Sequence, residues 1–505
     1  MACLRTPAPM VRFQRSLPLP LALVLLGLVP AGALPPSWSQ MNPSPLTGAA
    51  AASPAEPQLR VLLQEAPALT LAAADAEGLR LRDRQGRVLQ DLRPGQSLQL
   101  RVNGSWLEAR ALADPSSIAL ADVAHSGVLA AAELWIEPRP GAGPDPALAL
   151  NQRRYRGRLQ LLVRGNDVQV INHVPLETYL TSVVGSEMPA SWPQPALQAQ
   201  AVAARTYALK ARRPAAAYDL KATVASQVYR GIEAETPSTR QAVQATRGLV
   251  LTYGSGLIDA VFHSSSGGST ESSGDLWSTQ LPYLVSVPDF DQDSPVHQWR
   301  QPLDPVQLQA AFAEIGGMRG IEVLSTTATG RVRQVRVLGT GGQLLLSGAA
   351  LRSRLGLRST WVRFEQELPS SATALPVGTS LPVASGLPVA AAITPVPVPP
   401  PLPALSLPAQ APSSAMAPAA AMVRPRWVAI GRGFGHGIGM SQWGAYGMAR
   451  RGESYAAILR HYYRGTQLTP YSQLAGVAVA ASGSTGVQTR DADAQVVATA
   501  SRSQP

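Results

Sequence analysis

Alternating apolar and polar positions dominate the first third of the chain. LRLRD, GRVLQDL and SLQLRV, within residues 59–130, are separated by turns that carry Gly and Asp. A period of two places one face of each run in a core and the other in water, so the pattern predicts short strands. The stretch PRPGAGPDPALAL reads as a loop. RRYRGRLQLLVRGNDVQVINHV reads as a hairpin turning at Gly165-Asn166-Asp167.

The period then lengthens. A helix is predicted from Pro175 to Val184 and broken by Pro189-Ala190-Ser191-Trp192-Pro193; Pro195 opens a second one, ALQAQAVAARTYALKARR. Leu197, Ala201, Ala204 and Ala208 fall on one face of it. A stripe made mostly of Ala lets backbones approach closely, so tight packing is expected there. Residues 220–262 mix strand and helix and end in the run GLIDAVFH. Residues 264–280 are a Ser/Gly-rich loop. Residues 313–365 alternate again through GIEVLS, RVRQVRVLG, QLLLSG, ALRSRLGL and TWVRF. The switching period predicts a mixed α+β fold with a strand-rich N-terminal region over 56–135.

Three stretches lack any such period. Residues 34–55 are Pro/Ser/Ala-rich and expected to be a disordered linker. Residues 367–424 are Pro/Ala/Val/Ser-rich, with no charge except at their edges, and include the stiff run PVPVPPPLP. Such a segment cannot bury a core and reads as an insertion. Residues 476–505 form a low-complexity tail.

Composition adds compartment. The first 33 residues carry Arg5, Arg12 and Arg15 as their only charges, then LPLPLALVLLGLVP, then Ala31-Gly32-Ala33. A positive region, a short apolar core and a small-x-small site together read as a secretory signal, and hence as export to the periplasm or cell envelope. The alternative is an uncleaved anchor at the membrane. Removing the signal takes three charges from the net +11 and leaves +8, which suits anionic partners. No Lys/Arg block is interleaved with aromatics, so nucleic acid is not an expected partner. Cys3 is the only cysteine. The mature chain therefore has no disulfide, thiolate metal ligand or cysteine nucleophile.

Few groups are left to carry chemistry. HExxH, GxSxG and a phosphate-binding loop are absent. Glu187, in VVGSEMPASWP, has Val183, Val184, Met188 and Trp192 around it, and a desolvated carboxyl can hold its proton near neutrality. The competing reading is a solvated helix-end Glu, or one bonded to Arg205. The loop His263-Ser264-Ser265-Ser266-Gly267-Gly268-Ser269-Thr270 can donate to sugar hydroxyls, or it is a plain flexible loop. Trp277 and Tyr283 lie near it for stacking. In Gly431-Arg432-Gly433-Phe434-Gly435-His436-Gly437-Ile438-Gly439-Met440-Ser441-Gln442, glycine alternates with side chains. His436 there can donate to substrate, orient Glu187 or join a metal site; no second ligand is evident beside it.

VPLETYLTSVVGSEMPASWPQPALQAQAVAARTYAL, SQVYRG, TRQAVQATRGLVLTYGSGLIDAVFHSSSGGSTESSGDLWSTQLPYLVSVPD, GRVRQVRVLG, LSGAALRSRLGLRSTWVRF and GRGFGHGIGMSQWGAYGMARRGESYAAILRHYYRGT follow one another in the order of a known family. Over roughly residues 155–470 the chain resembles the SpoIID/LytB family, which includes stage II sporulation protein D and the amidase enhancer of bacterial autolysins. The resemblance implies a SpoIID-like domain in two parts, 155–366 and 425–470, around the insertion. It also implies lytic transglycosylase activity on peptidoglycan glycan strands, preferably peptide-stripped ones. It places the catalytic glutamate at Glu187, with Ser186 where the family usually has Gly. It marks His263, Ser265, Gly267, Gly268 and Thr270 as one cleft loop and His436, Gly437, Gly439, Met440, Ser441 and Gln442 as the other. Arg205, Thr206 and Tyr207 are expected to position substrate or stabilise charge.

Some endospore-former members carry cysteine near the position of Ser226 and are thought to hold zinc there. This chain offers none, so neither metal nor cofactor is expected. The family also contains non-catalytic enhancers, so the rival reading is a glycan-binding module whose partner is an N-acetylmuramoyl-L-alanine amidase. A purely structural envelope protein is the third reading.

Overall fold

The computed structural model describes residues 56–73, 78–112, 129–140, 146–367 and 426–474. The signal over 1–33, the linker over 34–55, the insertion beyond Glu367 and the tail over 476–505 lie outside the described residues.

The first strands in chain order are β1 Gln58–Ala66, β2 Ala68–Ala73, β3 Leu79–Arg82, β4 Val88–Leu92, β5 Ser97–Asn103 and β6 Trp106–Leu112. They are followed by β7 Leu129–Ala131, β8 Glu133–Pro138, β9 Leu148–Leu150, β10 Arg153–Tyr155, β11 Arg158–Arg164 and β12 Asp167–Pro175. With β13 (Leu220–Lys221) they form two sheets, of order β13-β1-β12-β11-β8-β3-β4 and β10-β9-β2-β5-β6-β7. The sheets face each other, β12 against β2 and β5, β11 against β6. Alternation is the cause: in β5, Leu98 and Leu100 are buried while Gln99 and Arg101 are exposed. The strands of the N-terminal region and the hairpin β11–β12 share the first sheet, so the two predicted segments are continuous there. The hairpin turns on Gly165-Asn166 alone, with Arg164 opposite Asp167 and Gly165 at φ 61°. PRPGAGPDPALAL is a loop only in its middle: Pro138 ends β8, and Leu148–Leu150 are β9.

Helix α1 (Leu176–Glu187) runs three residues beyond its predicted end, and α2 spans Gln194–Lys210. Proline begins both, and Pro189 and Pro193 separate them. The predicted Ala face of α2 is buried, but so are Ala199, Gln200, Val202, Ala203, Arg205 and Thr206. The helix is enclosed by α1, α3 (Pro237–Ala245), β14 (Leu249–Tyr253), α7 (Gln442–Arg450) and α8 (Tyr455–Tyr462). A one-face pattern could not reveal this, because Ala is small enough to be buried on every side.

Between them lie β15 Gly256–Leu257, β16 Phe262–His263, α4 Ser273–Leu276, β17 Gln298–Pro302, α5 Pro305–Ala311, β18 Gly320–Thr326, β19 Val332–Leu338, β20 Gln343–Ser347, α6 Gly348–Leu355, β21 Val362–Glu367, β22 Arg426–Arg432 and β23 Met440–Ser441. The last strand is β24, Gln467–Pro470. A second core, with Trp299, Phe312, Val335, Val337, Leu346 and Leu351, sits under the sheets β17-β22-β21 and β18-β19-β20. Glu367 and Arg426 are paired across β21 and β22. The insertion therefore leaves and returns at adjacent strand ends, and the fold closes without it. Among the described residues, no helix is long and apolar enough to cross a membrane.

Arg205 is fully buried on α2 and donates to both oxygens of Glu177 on α1, at 2.9 and 2.6 Å. It also donates to the carbonyls of Leu249 and Val243. Replacing Arg205 with Ala leaves Glu177 buried without its partner, which costs about 3–5 kcal/mol. Urea unfolding of Arg205→Ala checks this; a variant of unchanged stability that has lost glycan binding would restore the predicted substrate role.

Candidate active site

Glu187 is the last residue of α1, at the point where Pro189 forbids its continuation. The preceding turn sits unusually close to the chain at Ala234. A Cβ at Gly185 would lie 1.9 Å from the Ala234 carbonyl oxygen, so only glycine permits this approach. Ser186, beside it, has a buried hydroxyl with no partner.

The carboxyl of Glu187 is half-buried and held from two directions. The Val228 N–H donates to Oε1 at 2.9 Å, and Gln442 Nε2 donates to Oε2 at 3.1 Å. Burial raises its pKa above the ordinary glutamate value; the Val228 and Gln442 hydrogen bonds and the charge of Arg230 oppose the rise without cancelling it. Tyr179, buried beneath, is close enough for Glu187 to act on it and donates to Gln227 Oε1 at 3.1 Å.

Gln442 reaches Glu187 because the two glycine-bearing loops are joined as one unit. Phe262 and His263 pair with Met440 and Ser441, and Ser265 bridges Phe434. The Glu271 N–H donates to the Gly437 carbonyl at 2.7 Å. Alternating glycine is what this approach requires. A Cβ at Gly435 would lie 2.6 Å from His263 Cβ, and one at Gly437 would lie 2.4 Å from Arg331 Cζ, both at positive φ.

Most residues predicted to touch substrate have protein partners within this joint. His436 accepts from the Ile438 N–H at Nδ1 and so donates from Nε2 to the Phe262 carbonyl at 2.9 Å. Both nitrogens are used, and burial pulls its pKa down to about 4, so the ring is neutral and structural. His263 donates from Nδ1 to the Ile438 carbonyl; burial depresses its pKa, and its buried Nε2 has no partner. Among the described residues, no cluster of three His, Cys, Asp or Glu suits a metal ion.

The Ser265 hydroxyl and the Gly267 N–H both donate to Asp291 Oδ2. The Gly268 N–H donates to Ser266 Oγ at 3.2 Å, and Thr270 exchanges hydrogen bonds with the backbone of Val287. Met440 is fully buried, and Ser441 caps α7 by accepting from the Gly444 N–H. Thr206 accepts from the Leu251 N–H and donates to the Val202 carbonyl. Tyr207 is half-buried against the main core. Tyr283 is likewise buried and donates to Asp259, and Trp277 lies against the His436 ring at 6.4 Å. Of the predicted binding residues, Gln442 alone is hydrogen-bonded to Glu187.

Sequence reading missed the groups beneath the loops. Asp289 accepts from Ser266 and Tyr462, both at 2.5 Å, and His297 Nδ1 lies 3.0 Å from Asp291 Oδ1. Arg331, fully buried, donates from Nη2 to the Ser266 carbonyl at 2.7 Å; burial brings its pKa down to about 10. Asp289 and Asp291, in VPDFD, carried a readable signal, since alternate acids beside an apolar run are seldom without partners. Arg331 carried none. Val228 and Arg230 were also missed, as was the packing of Trp192, expected beside Glu187, with Trp443 and Tyr446 at centroid distances of 4.8–5.4 Å. Trp192 follows Glu187 by five positions, and Trp443 adjoins Gln442.

Comparison with known proteins agrees with this architecture. Residues 164–253 match the family described as Stage II sporulation protein, SpoIID. That span holds α1, α2 and Glu187, and leaves Gln442 outside. The chain is 30% identical over 296 residues to the amidase enhancer of Bacillus subtilis (strain 168), covering 58% of this chain and 40% of that protein. It thus spans well under half the length of that relative. It is 27% identical over 325 residues to stage II sporulation protein D of the same organism, covering 60% of this chain and 76% of that one. Its identity to the protein of that name from Bacillus amyloliquefaciens is 28% over 318 residues, covering 59% of this chain and 75% of that one. By this match and these relatives, residues 164–253 carry a SpoIID domain and the chain is similar to proteins of the SpoIID/LytB family.

Proposed function

We propose that this chain is an exported peptidoglycan lytic transglycosylase acting in the periplasm or cell envelope on glycan strands, with Glu187 as its catalytic residue. The observation that carries the reading is the state of Glu187: a half-buried carboxyl whose pKa is raised by burial, with one hydrogen-bond donor on each oxygen. Export rests on the N-terminal sequence pattern.

A single carboxyl can serve twice. Protonated Glu187 gives its proton to the oxygen linking N-acetylmuramic acid to N-acetylglucosamine, and that C–O bond breaks through an oxocarbenium-like state. The two donors then stabilise the carboxylate that remains. The muramic C6 hydroxyl forms a bond to C1 and returns its proton to Glu187. The product is a 1,6-anhydro end, no water is consumed, and the enzyme regains its starting protonation. Hydrolysis with a separate base or nucleophile would call for a second carboxylate within about 5–10 Å of the first.

A second reading has one observation in its favour: the relative named amidase enhancer. In it the chain binds glycan and stimulates an N-acetylmuramoyl-L-alanine amidase without cutting strands. The Glu187 variant separates the two. Glu187→Gln abolishes release of fragments from peptide-stripped strands, while binding persists. It is at least as stable as the parent at neutral pH, because the raised pKa means that ionisation of the folded-state carboxyl opposes folding as pH rises. Fragment release at parental rate, or an unfolded variant, would defeat the assignment. The pH profile follows the same sign. Cleavage is full below the raised pKa of Glu187 and falls as pH rises through it, because the acid loses its proton. A rate that increases through that range would mean the essential form is the carboxylate.

A further inference from the structure

Arg230 is an exposed arginine that no described carboxylate holds in an ion pair. It lies two residues after Val228, whose N–H donates to Glu187. Residues 227–231 run without helix or strand assignment, and burial alternates along them. Gln227 and Tyr229 point inward, bonded to Tyr179 and to Asn172. Val228 and Arg230 therefore share the outward side.

The acids nearest to Arg230 in the chain are already committed. Glu233 is paired with Arg154 at 3.0 Å, and Glu235 is paired with Arg156 at 2.9 Å and with Arg240 at 3.0 Å. The charge of Arg230 reaches Glu187 instead. That placement works against a group that must keep its proton, so the proton on Glu187 gives no reason for a cation there. A substrate anion does.

Resting on the transglycosylase reading of the site, we infer that Arg230 is the carboxylate-binding residue of the cleft, reading a free carboxylate carried by the sugar beside Glu187. In a muramic-type glycan that carboxylate belongs to the lactyl ether, and it is free only where the peptide amide has been removed. A guanidinium fork binds a carboxylate through two parallel N–H bonds. An amide in its place offers no charge. Arg230 thus supplies a chemical reason for a site to favour peptide-stripped strands.

The test uses the full chain carrying Glu187→Gln, so that strands are bound and not consumed. Its affinity is measured for peptide-stripped strands and for the same strands with their carboxyl groups converted to methylamides. The free-carboxylate strands bind about tenfold more tightly, the scale of one charge-assisted contact. Adding Arg230→Ala weakens binding of those strands alone and removes the difference, and Arg230→Lys restores part of it. A parent protein with no preference, or an Arg230→Ala variant that keeps the full preference, overturns the inference. Should the wild-type chain cut neither strand while Arg230 still governs the preference, the catalytic reading falls and the assignment of Arg230 stands.

Discussion

The hydrogen bond from Gln442 Nε2 to Glu187 Oε2 joins residues 255 positions apart. Neither end is placed by its own element alone. Glu187 is where it is because proline ends α1 there and because Gly185 lets α1 lie against Ala234. Gln442 is where it is because the loop before it is threaded against the loop after β16 by paired backbone and by glycines that leave room for His263 and Arg331. Beneath both loops lie Asp289, Asp291 and Arg331, each buried and each bonded to a loop residue. Buried charge is tolerable only when partnered, so these groups tie the loops to one arrangement and thereby fix the donor on Glu187.

This explains why so many polar residues of the two loops are spent on the protein itself. Ser265, Ser266, Thr270, His436 and Ser441 have their polar atoms committed to backbone or to buried carboxylates. Four groups stand outside this joint: the half-buried Glu187 carboxyl, the Gln442 side chain and Val228 N–H that donate to it, and the exposed Arg230. The same division holds at the far side of α1, where Arg205 and Glu177 satisfy each other inside the core. The residues that flank the insertion, Glu367 and Arg426, are paired on neighbouring strands.

Periodicity made much of the fold legible. The β11–β12 hairpin, the paired helices around Pro189–Pro193 and the strands of 313–365 follow directly from alternation, glycine and proline. The burial of the Glu187 carboxyl was legible from its apolar neighbours, and the family resemblance pointed to the same residue. Partnering was not legible. Whether a serine faces solvent or a buried aspartate depends on what the chain brings beneath it, and Asp291 lies 26 positions from Ser265. Arg205 illustrates the same limit: its place on α2 was readable, its burial against Glu177 was not. The alternating glycines of the second loop did not say what they admit, which is the close approach of His263 and Arg331. Arg230 sat within SQVYRG as one arginine among many, and only the pairing of Glu233 and Glu235 elsewhere sets it apart.

The central claim is that one carboxyl, Glu187, breaks the glycosidic bond and then directs an internal hydroxyl onto the same carbon. Mass spectrometry of the fragments released from peptide-stripped glycan strands by the mature protein tests it most directly. The account predicts fragments ending in 1,6-anhydromuramic acid, one water lighter than hydrolysis products. Fragments with reducing ends would contradict it, because they show that water, and not the muramic C6 hydroxyl, took the bond to C1.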